Sequence, residues 1–186
     1  SVPWGNFQVF GPVSPSVLFD FLFVIAGYFI LEVKNFIGII RPKKILIQSI
    51  AVIIFAASCI GFSNLIELKS PFPYLELQFL QLLILAPILE ELIFRGVFLE
   101  IGQRVQMDKG IAAIVNSFLF SFSHASALWF IAPEFHPFIW FQLAYTLVLG
   151  FLCAKARFNT NGLVAPILLH FLFNLVFYIA IQNGNL

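Results

Sequence analysis

Six apolar stretches, each near the length needed to cross a lipid bilayer, run through this chain of 186 residues. About 20 apolar residues in an α-helix cross a hydrocarbon core. The segments between the stretches contain the helix-breaking residues and nearly all the charges. We therefore predict six transmembrane helices. They are Val17–Val33, Ile45–Leu65, Leu77–Ile101, Ile111–Ala132, Phe138–Ala156 and Leu163–Ile181.

The composition excludes a soluble globular protein. Hydrophobic residues make up 61% of the chain and charged residues 10%, against about half and a quarter in soluble domains. The predicted fold class is all-α: a polytopic transmembrane bundle of about six spans that encloses a polar cavity within the membrane. Residues 17–186 form a single domain, since the length leaves no room for a second one. Residues 1–16 are predicted to be a lead-in that lies outside the membrane or at its surface.

The basic residues predict how the bundle is oriented, because loops rich in Lys and Arg stay in the cytoplasm. Eight basic residues fall in or beside alternate loops, and the opposite loops contain only Lys69. Both termini are therefore predicted outside and the basic loops inside, in a prokaryotic plasma membrane. The eight are Lys34, Arg41, Lys43, Lys44, Arg104, Lys109, Lys155 and Arg157.

Two further features of the sequence argue against disulfide bonds and against a nucleic-acid partner. Cys59 and Cys153 lie in apolar stretches without a CxxC pair, so we predict buried thiols. The formal net charge is +1, and no basic patch with interleaved aromatic residues is present, so no nucleic-acid partner is predicted. The lipid bilayer is the one partner that the composition requires, and the oligomeric state is not specified.

Few strongly polar side chains remain inside the predicted spans, and most of them fall on three helices. An ionisable group within a span costs several kilocalories per mole unless it faces the interior of the bundle and finds a partner there. Such residues are candidates for function, although Asp20 lies near the end of its span and is interpreted as interfacial. The strongly polar residues within the predicted spans are Asp20, Glu90, Glu91, Arg95, His124, His170 and Asn174.

The third predicted span contains an acid pair and a base in the stretch EELIFR. Glu91 and Arg95 are four residues apart, with the acid first, which favours an ion pair on one helical face. Glu90 points about 100 degrees away from that face. Arg95 therefore holds one carboxylate and leaves the other available for chemistry.

Three polar residues on two other spans lie at a similar depth in the membrane. Counted from the predicted cytoplasmic ends at about 1.5 Å per residue, His124, His170 and Asn174 overlap in depth with the two glutamates. His170 and Asn174 are four residues apart and share a helical face. A carboxylate in apolar surroundings is a stronger base and can abstract a proton from water. A histidine and an asparagine can donate hydrogen bonds to the oxyanion that forms when water attacks an amide.

The same residues leave other functions open. Two glutamates and two histidines suit zinc, which makes a zinc-dependent metalloprotease an alternative, although no HExxH motif is present. Buried acids and histidines also form proton relays, so a proton-coupled transporter is a second alternative. A non-catalytic membrane scaffold or immunity protein, in which the polar set is structural, is a third.

Three short motifs resemble those of the CPBP family of intramembrane proteases, which includes the type II CAAX prenyl proteases. They are EELIFR at residues 90–95, SFSH at 121–124 and HFLFN at 170–174. Gly150 resembles the small-residue position of a weaker family motif between the last two. The matching region covers about residues 83–178, roughly half of the chain.

The resemblance implies an intramembrane endopeptidase with a cavity that opens toward the cytosolic side. It implies that Glu90 and His124 activate the water and that His170 and Asn174 stabilise the oxyanion. The substrate implied is a peptide or a prenylated or otherwise lipidated peptide, although the sequence identifies no substrate-binding residue. We expect no cofactor and no metal.

The resemblance also assigns a supporting role to the remaining ion pair. Glu91 and Arg95 are implied to brace the site rather than to contact the substrate. The candidate site therefore consists of the six polar residues that the three motifs share with the family: Glu90, Glu91, Arg95, His124, His170 and Asn174.

Overall fold

The structure is a computed structural model that describes residues 15–31, 36–72, 79 and 81–186, with the backbone alone for residues 15–19 and 31. Most of the predicted lead-in, residues 1–16, lies outside the described residues. So do the predicted end of the first span at Val33 and the predicted start of the third at Leu77.

Throughout the described residues the regular secondary structure is helical, which confirms the predicted fold class. The six helices are α1 Pro15–Leu31, α2 Pro42–Leu65, α3 at residues 81–104, α4 Lys109–Ser123, α5 His136–Thr160 and α6 Val164–Gln182. Short 3₁₀ turns at His124–Trp129 and Pro133–Phe135 connect α4 to α5.

Four of the helical segments are long and apolar enough to cross a membrane: 42–65, 109–129, 133–160 and 164–182. The described part of α1 contributes a shorter apolar helix. Helix α3 contains five charged residues, which lowers its hydropathy although it is 24 residues long. The protein is an integral membrane protein built as a helical bundle.

Helix α2 illustrates how the bundle faces lipid. Its buried residues are Val52, Ala56, Cys59 and Ser63, at spacings of four, three and four that mark a single stripe along the helix. Large apolar side chains such as Ile47 on the rest of its surface are exposed. In water such exposure would disfavour folding. In a bilayer it is favourable, because the lipid chains that surround the helix are themselves apolar.

Helices α4 and α5 pack closely because of a glycine. A Cβ atom added at Gly150 would lie 3.1 Å from Phe120 Cδ1 and 3.1 Å from Ser117 Cα. Only glycine lets the two helices approach this far without moving their neighbours. The contact brings the backbone of α5 into the region where α3 places its charged residues.

Two loops at one end of the bundle are joined by backbone hydrogen bonds. Ile39 N donates to Thr160 O, and Leu163 N donates to Phe36 O over 2.7 Å. A Cβ atom at Gly162 would collide with the 37–38 backbone, so glycine is required there. The loop before α2 and the loop before α6 therefore lie together at the same end.

Candidate active site

Helix α3 is irregular around the residues that matter most. Its segments are π-helical at Gln81–Leu85, α-helical at Ala86–Glu91, π-helical at Leu92–Phe98 and α-helical at Leu99–Arg104. Pro87 has no N–H to donate within the helix, which favours a local widening. Wide π-helical turns inside α-helices are frequent at functional sites.

The predicted ion pair on α3 is present and fully buried. Arg95 Nη1 donates to Glu91 Oε1 over 3.0 Å, and both side chains are 0% exposed. Arg95 Nη2 donates to the carbonyl of Gly150 over 2.8 Å, which ties α3 to α5. The ring of Phe120 lies 4.5 Å from the guanidinium carbon, so the cation also rests on an aromatic face.

His170 joins the two carboxylates of α3. Its Nδ1 donates to Glu91 Oε1 over 2.9 Å, since a carboxylate oxygen only accepts. Its Nε2 lies 3.7 Å from Glu90 Oε2. Although the two glutamates diverge around the helix, one imidazole ring is therefore flanked by both.

His124 lies at the end of α4, where the helix tightens into a 3₁₀ turn. Its Nδ1 donates to the carbonyl of Phe120 over 3.0 Å. The Phe120 ring packs edge-on against His124 and His170, with centroid distances of 5.1 and 5.6 Å. Phe120 thus packs against both imidazoles and restricts their orientations.

Asn174 lies one turn beyond His170 on α6. Its Nδ2 donates to the carbonyl of Leu82 over 2.9 Å. The amide has two N–H groups, so one remains available. The bond also satisfies a carbonyl in the π-helical start of α3.

These side chains meet at a cavity of about 220 Å³. Glu90, His124, His170 and Asn174 all contribute to its wall, whereas Glu91 and Arg95 lie behind it. The remaining lining residues are Phe72, Leu82, Ala86, Gln142, Tyr145, Thr146, Leu149, Phe173, Phe177 and Ile181. A space of this size has room for several water molecules.

The carboxylate of Glu90 has an unused acceptor in this wall. Its side chain is 29% exposed, yet Oε2 is buried and has no hydrogen-bond partner. A buried carboxylate oxygen without a hydrogen bond is costly, even with His170 Nε2 at 3.7 Å, and such atoms are often found at functional sites. A water or a substrate N–H in the cavity would satisfy it.

Sequence reasoning missed part of the cavity wall. No catalytic or binding role was predicted for Gln142, Tyr145 or Thr146 on α5, and all three line the cavity. A threonine in an apolar span usually bonds to its own helix, so Thr146 gave no sequence indication of a site, and its hydroxyl does donate to the carbonyl of Gln142. Asp20, interpreted as interfacial, is half-buried on α1 and does not line the cavity.

Arg157 was counted as a loop residue, and that interpretation is wrong. It lies within α5, is 3% exposed and donates from Nε to the carbonyl of Arg95 over 3.3 Å. Asn116 Nδ2 likewise donates to the neighbouring carbonyl of Phe94 over 2.7 Å. A widened helical turn changes the pattern of its backbone hydrogen bonds, and these two side chains supply donors from α5 and α4.

Two other side-chain predictions concern cysteine and metal. Cys59 and Cys153 are free and buried, as predicted. Over the described residues, no group of three or more His, Cys, Asp and Glu side chains is arranged to hold one metal ion. Oε1 of Glu91 already accepts from both Arg95 and His170.

Comparison with known proteins adds an independent finding. The model of a family described as type II CAAX prenyl endopeptidase Rce1-like matches residues 72–176, more than half of the chain. The matched region contains all six residues of the three motifs. No curated protein and no solved structure matches the chain.

Proposed function

The chain belongs to the Rce1-like family of type II CAAX prenyl endopeptidases, and from this premise we propose that it hydrolyses peptide bonds with a water activated by Glu90. The family makes it a CPBP-type intramembrane protease. The observation that carries the mechanism is the buried Oε2 of Glu90, which makes no hydrogen bond, in the wall of a cavity shared with His124, His170 and Asn174. The roles of these residues are our assignment.

Glu90 and His124 would hold the attacking water between them. The bond from His124 Nδ1 to the Phe120 carbonyl leaves Nε2 as the unprotonated nitrogen of the neutral ring. That nitrogen accepts one hydrogen bond from water, and the Glu90 carboxylate accepts the other. The lone pair of the water oxygen is then free to attack a carbonyl carbon.

The reaction balances with Glu90 as the only proton carrier. Glu90 takes a proton from water as the oxygen adds to the peptide carbonyl, which forms a tetrahedral oxyanion. Glu90 then gives the proton to the leaving nitrogen, and the C–N bond breaks. The products are a carboxyl group and an amine, and Glu90 is again ionised.

Asn174 and His170 would stabilise the oxyanion. Asn174 has the second N–H of its amide available after bonding to Leu82. His170 presents Nε2 toward Glu90, and because Nδ1 already donates to Glu91, Nε2 donates to the oxyanion only when both ring nitrogens carry protons. Donors that are fixed before the reaction are worth about 3 to 4 kcal/mol each in comparable sites.

The substrate class proposed is a peptide or a lipidated peptide. The test is mass spectrometry of candidate peptides incubated with the detergent-purified parent and with Glu90→Gln. New peptide termini with the parent alone support the proposal and report the cleavage site. Equal cleavage by both proteins would refute it, and vesicle uptake without new termini would favour a transporter.

A further inference from the structure

The cavity extends from the catalytic side chains toward only one end of the bundle. On α6 its lining runs from His170, near the middle of the helix, to Ile181 at the C-terminal end. On α5 it runs from Leu149 back to Gln142, in the N-terminal half. Because α5 and α6 are antiparallel, both sets lead to the same end, and Phe72, which follows α2, also lies there.

The exposed basic residues are distributed unequally between the two ends of the bundle. At the end away from the cavity, beside the loops joined at Ile39 and Leu163, the described exposed basic residues are Arg41, Lys43, Lys44, Arg104, Lys109 and Lys155. At the cavity end, the exposed basic residue in the described part of the chain is Lys69, accompanied by Glu67 and Glu134. Leaving the buried Arg157 out of the number of basic residues does not change this difference between the two ends.

We propose that the cavity opens on the non-cytoplasmic face of the membrane and that the protease acts on peptides that reach it from outside. Short loops with an excess of Lys and Arg stay in the cytoplasm, so the end with the six basic residues faces inward. The cavity end then faces outward. This is opposite to the cytosolic opening that the family resemblance implies, and it rests on the proposed proteolytic function.

The lining further restricts what such a peptide presents. Among the described lining residues none is Lys or Arg, and Glu90 contributes negative charge. A C-terminal carboxylate or an acidic side chain therefore finds no Lys or Arg partner among these lining residues and meets the negative charge of Glu90. Tyr145, Phe173 and Phe177 instead offer an aromatic wall, which suits a large apolar side chain next to the scissile bond.

Cysteine labelling tests the direction of the opening. The buried Cys59 and Cys153 are replaced by alanine, and single cysteines are introduced as Asn183→Cys at the cavity end and Lys109→Cys at the basic end, both exposed positions. A membrane-impermeant maleimide should label Asn183→Cys in sealed right-side-out vesicles and Lys109→Cys in sealed inverted vesicles. The reverse pattern overturns the proposal.

Proteolysis from each side tests the same inference by function. A hydrophilic quenched-fluorescent peptide library with a central phenylalanine is first incubated with protein in detergent. A peptide cut there is then given to sealed vesicles of both orientations, with Glu90→Gln vesicles as the blank. Cleavage in right-side-out vesicles supports the proposal, and cleavage confined to inverted vesicles contradicts it.

The two proposals fail in different ways. If no library peptide is cut in detergent, the proteolytic function fails, and the labelling pattern still reports which face the cavity opens on. If peptides are cut in detergent but only from the basic side, proteolysis stands and the outward opening is wrong. Replacing the central phenylalanine with aspartate should lower kcat/KM at least tenfold, and equal rates would contradict the apolar specificity.

Discussion

His170 Nδ1 lies 2.9 Å from Glu91 Oε1, and the same carboxylate oxygen accepts from Arg95 at 3.0 Å. One buried oxygen therefore fixes both a cation on its own helix and an imidazole on α6. The bond leaves Nε2 as the nitrogen of His170 nearest to Glu90. Glu91 acts through its neighbours and is a positioning residue.

Replacing Glu90 with glutamine should abolish hydrolysis while the protein still folds. The amide has nearly the same size but cannot take a proton from water, and loss of a general base typically lowers kcat by about 10²- to 10⁴-fold. The measurement is kcat on a peptide that the parent cuts. Glu100→Gln is the control, because Glu100 lies on the same helix in an exposed pair with Arg104, and equal losses in both variants would argue against a base.

Glu91→Gln should lower both stability and kcat. Breaking a buried ion pair leaves an uncompensated charge and costs about 3 to 5 kcal/mol, whereas an exposed pair is worth about 0 to 1 kcal/mol. The thermal midpoint in detergent should therefore fall clearly for Glu91→Gln and little for the control Arg104→Gln. If Glu91 only stabilises the fold, the folded fraction of the variant would keep the parental kcat, and the positioning role would be wrong.

The fold was largely predictable because hydropathy and spacing are local properties. Apolar runs of membrane length located the helices, and the four-residue spacing of Glu91 and Arg95 predicted their bond. Overlapping depth brought His124 and His170 to one cavity in the prediction, and the structure places both in its wall. The chemical roles of these residues stay predictions.

What the sequence did not reveal depends on contacts between helices. The second π-helical segment of α3 accepts hydrogen bonds from Asn116 and Arg157 on other helices. From hydropathy alone, an arginine near the end of a span, such as Arg157, is assigned to the loop. The direction of the cavity depends on which parts of α5 and α6 contribute its lining residues. Neither property follows from the composition of a single span.

Gly150→Val should separate α5 from α4 and reduce activity. The added side chain meets Phe120 and Ser117 at 3.1 Å or slightly more already at its Cβ, so the helices must move apart. That movement would also shift the Gly150 carbonyl away from Arg95. Overpacking of this kind typically costs about 1 to 3 kcal/mol, measured as a lower thermal midpoint.

Gly61→Val provides the matched control for that substitution. Gly61 lies within α2, and a Cβ atom there meets nothing within 4 Å. Both variants add the same side chain to a helix, so the difference between them reports packing. Equal midpoints for the two variants would show that the close approach at Gly150 does not matter.

Chelation should leave hydrolysis unchanged. The proposed mechanism uses Glu90 as the base, and Oε1 of Glu91 is already engaged by two donors. The purified protein is assayed before and after incubation with EDTA and with 1,10-phenanthroline, and its zinc content is measured by elemental analysis. About one zinc per chain together with loss of activity on chelation, restored by zinc, would favour the metalloprotease alternative.

Arg157→Gln should weaken the site although the residue lies outside the cavity wall. Its Nε donates to the Arg95 carbonyl, so removal leaves a buried acceptor without this partner and loosens the wide turn that positions Arg95. An unsatisfied buried group costs about 1 to 3 kcal/mol, and we expect kcat to fall several-fold with KM nearly unchanged. Lys155→Gln removes the same charge from an exposed site two residues away, and Arg157→Lys separates charge from the guanidinium bond. If Lys155→Gln and Arg157→Gln behave alike, the effect is one of charge, and Arg157 does not position α3.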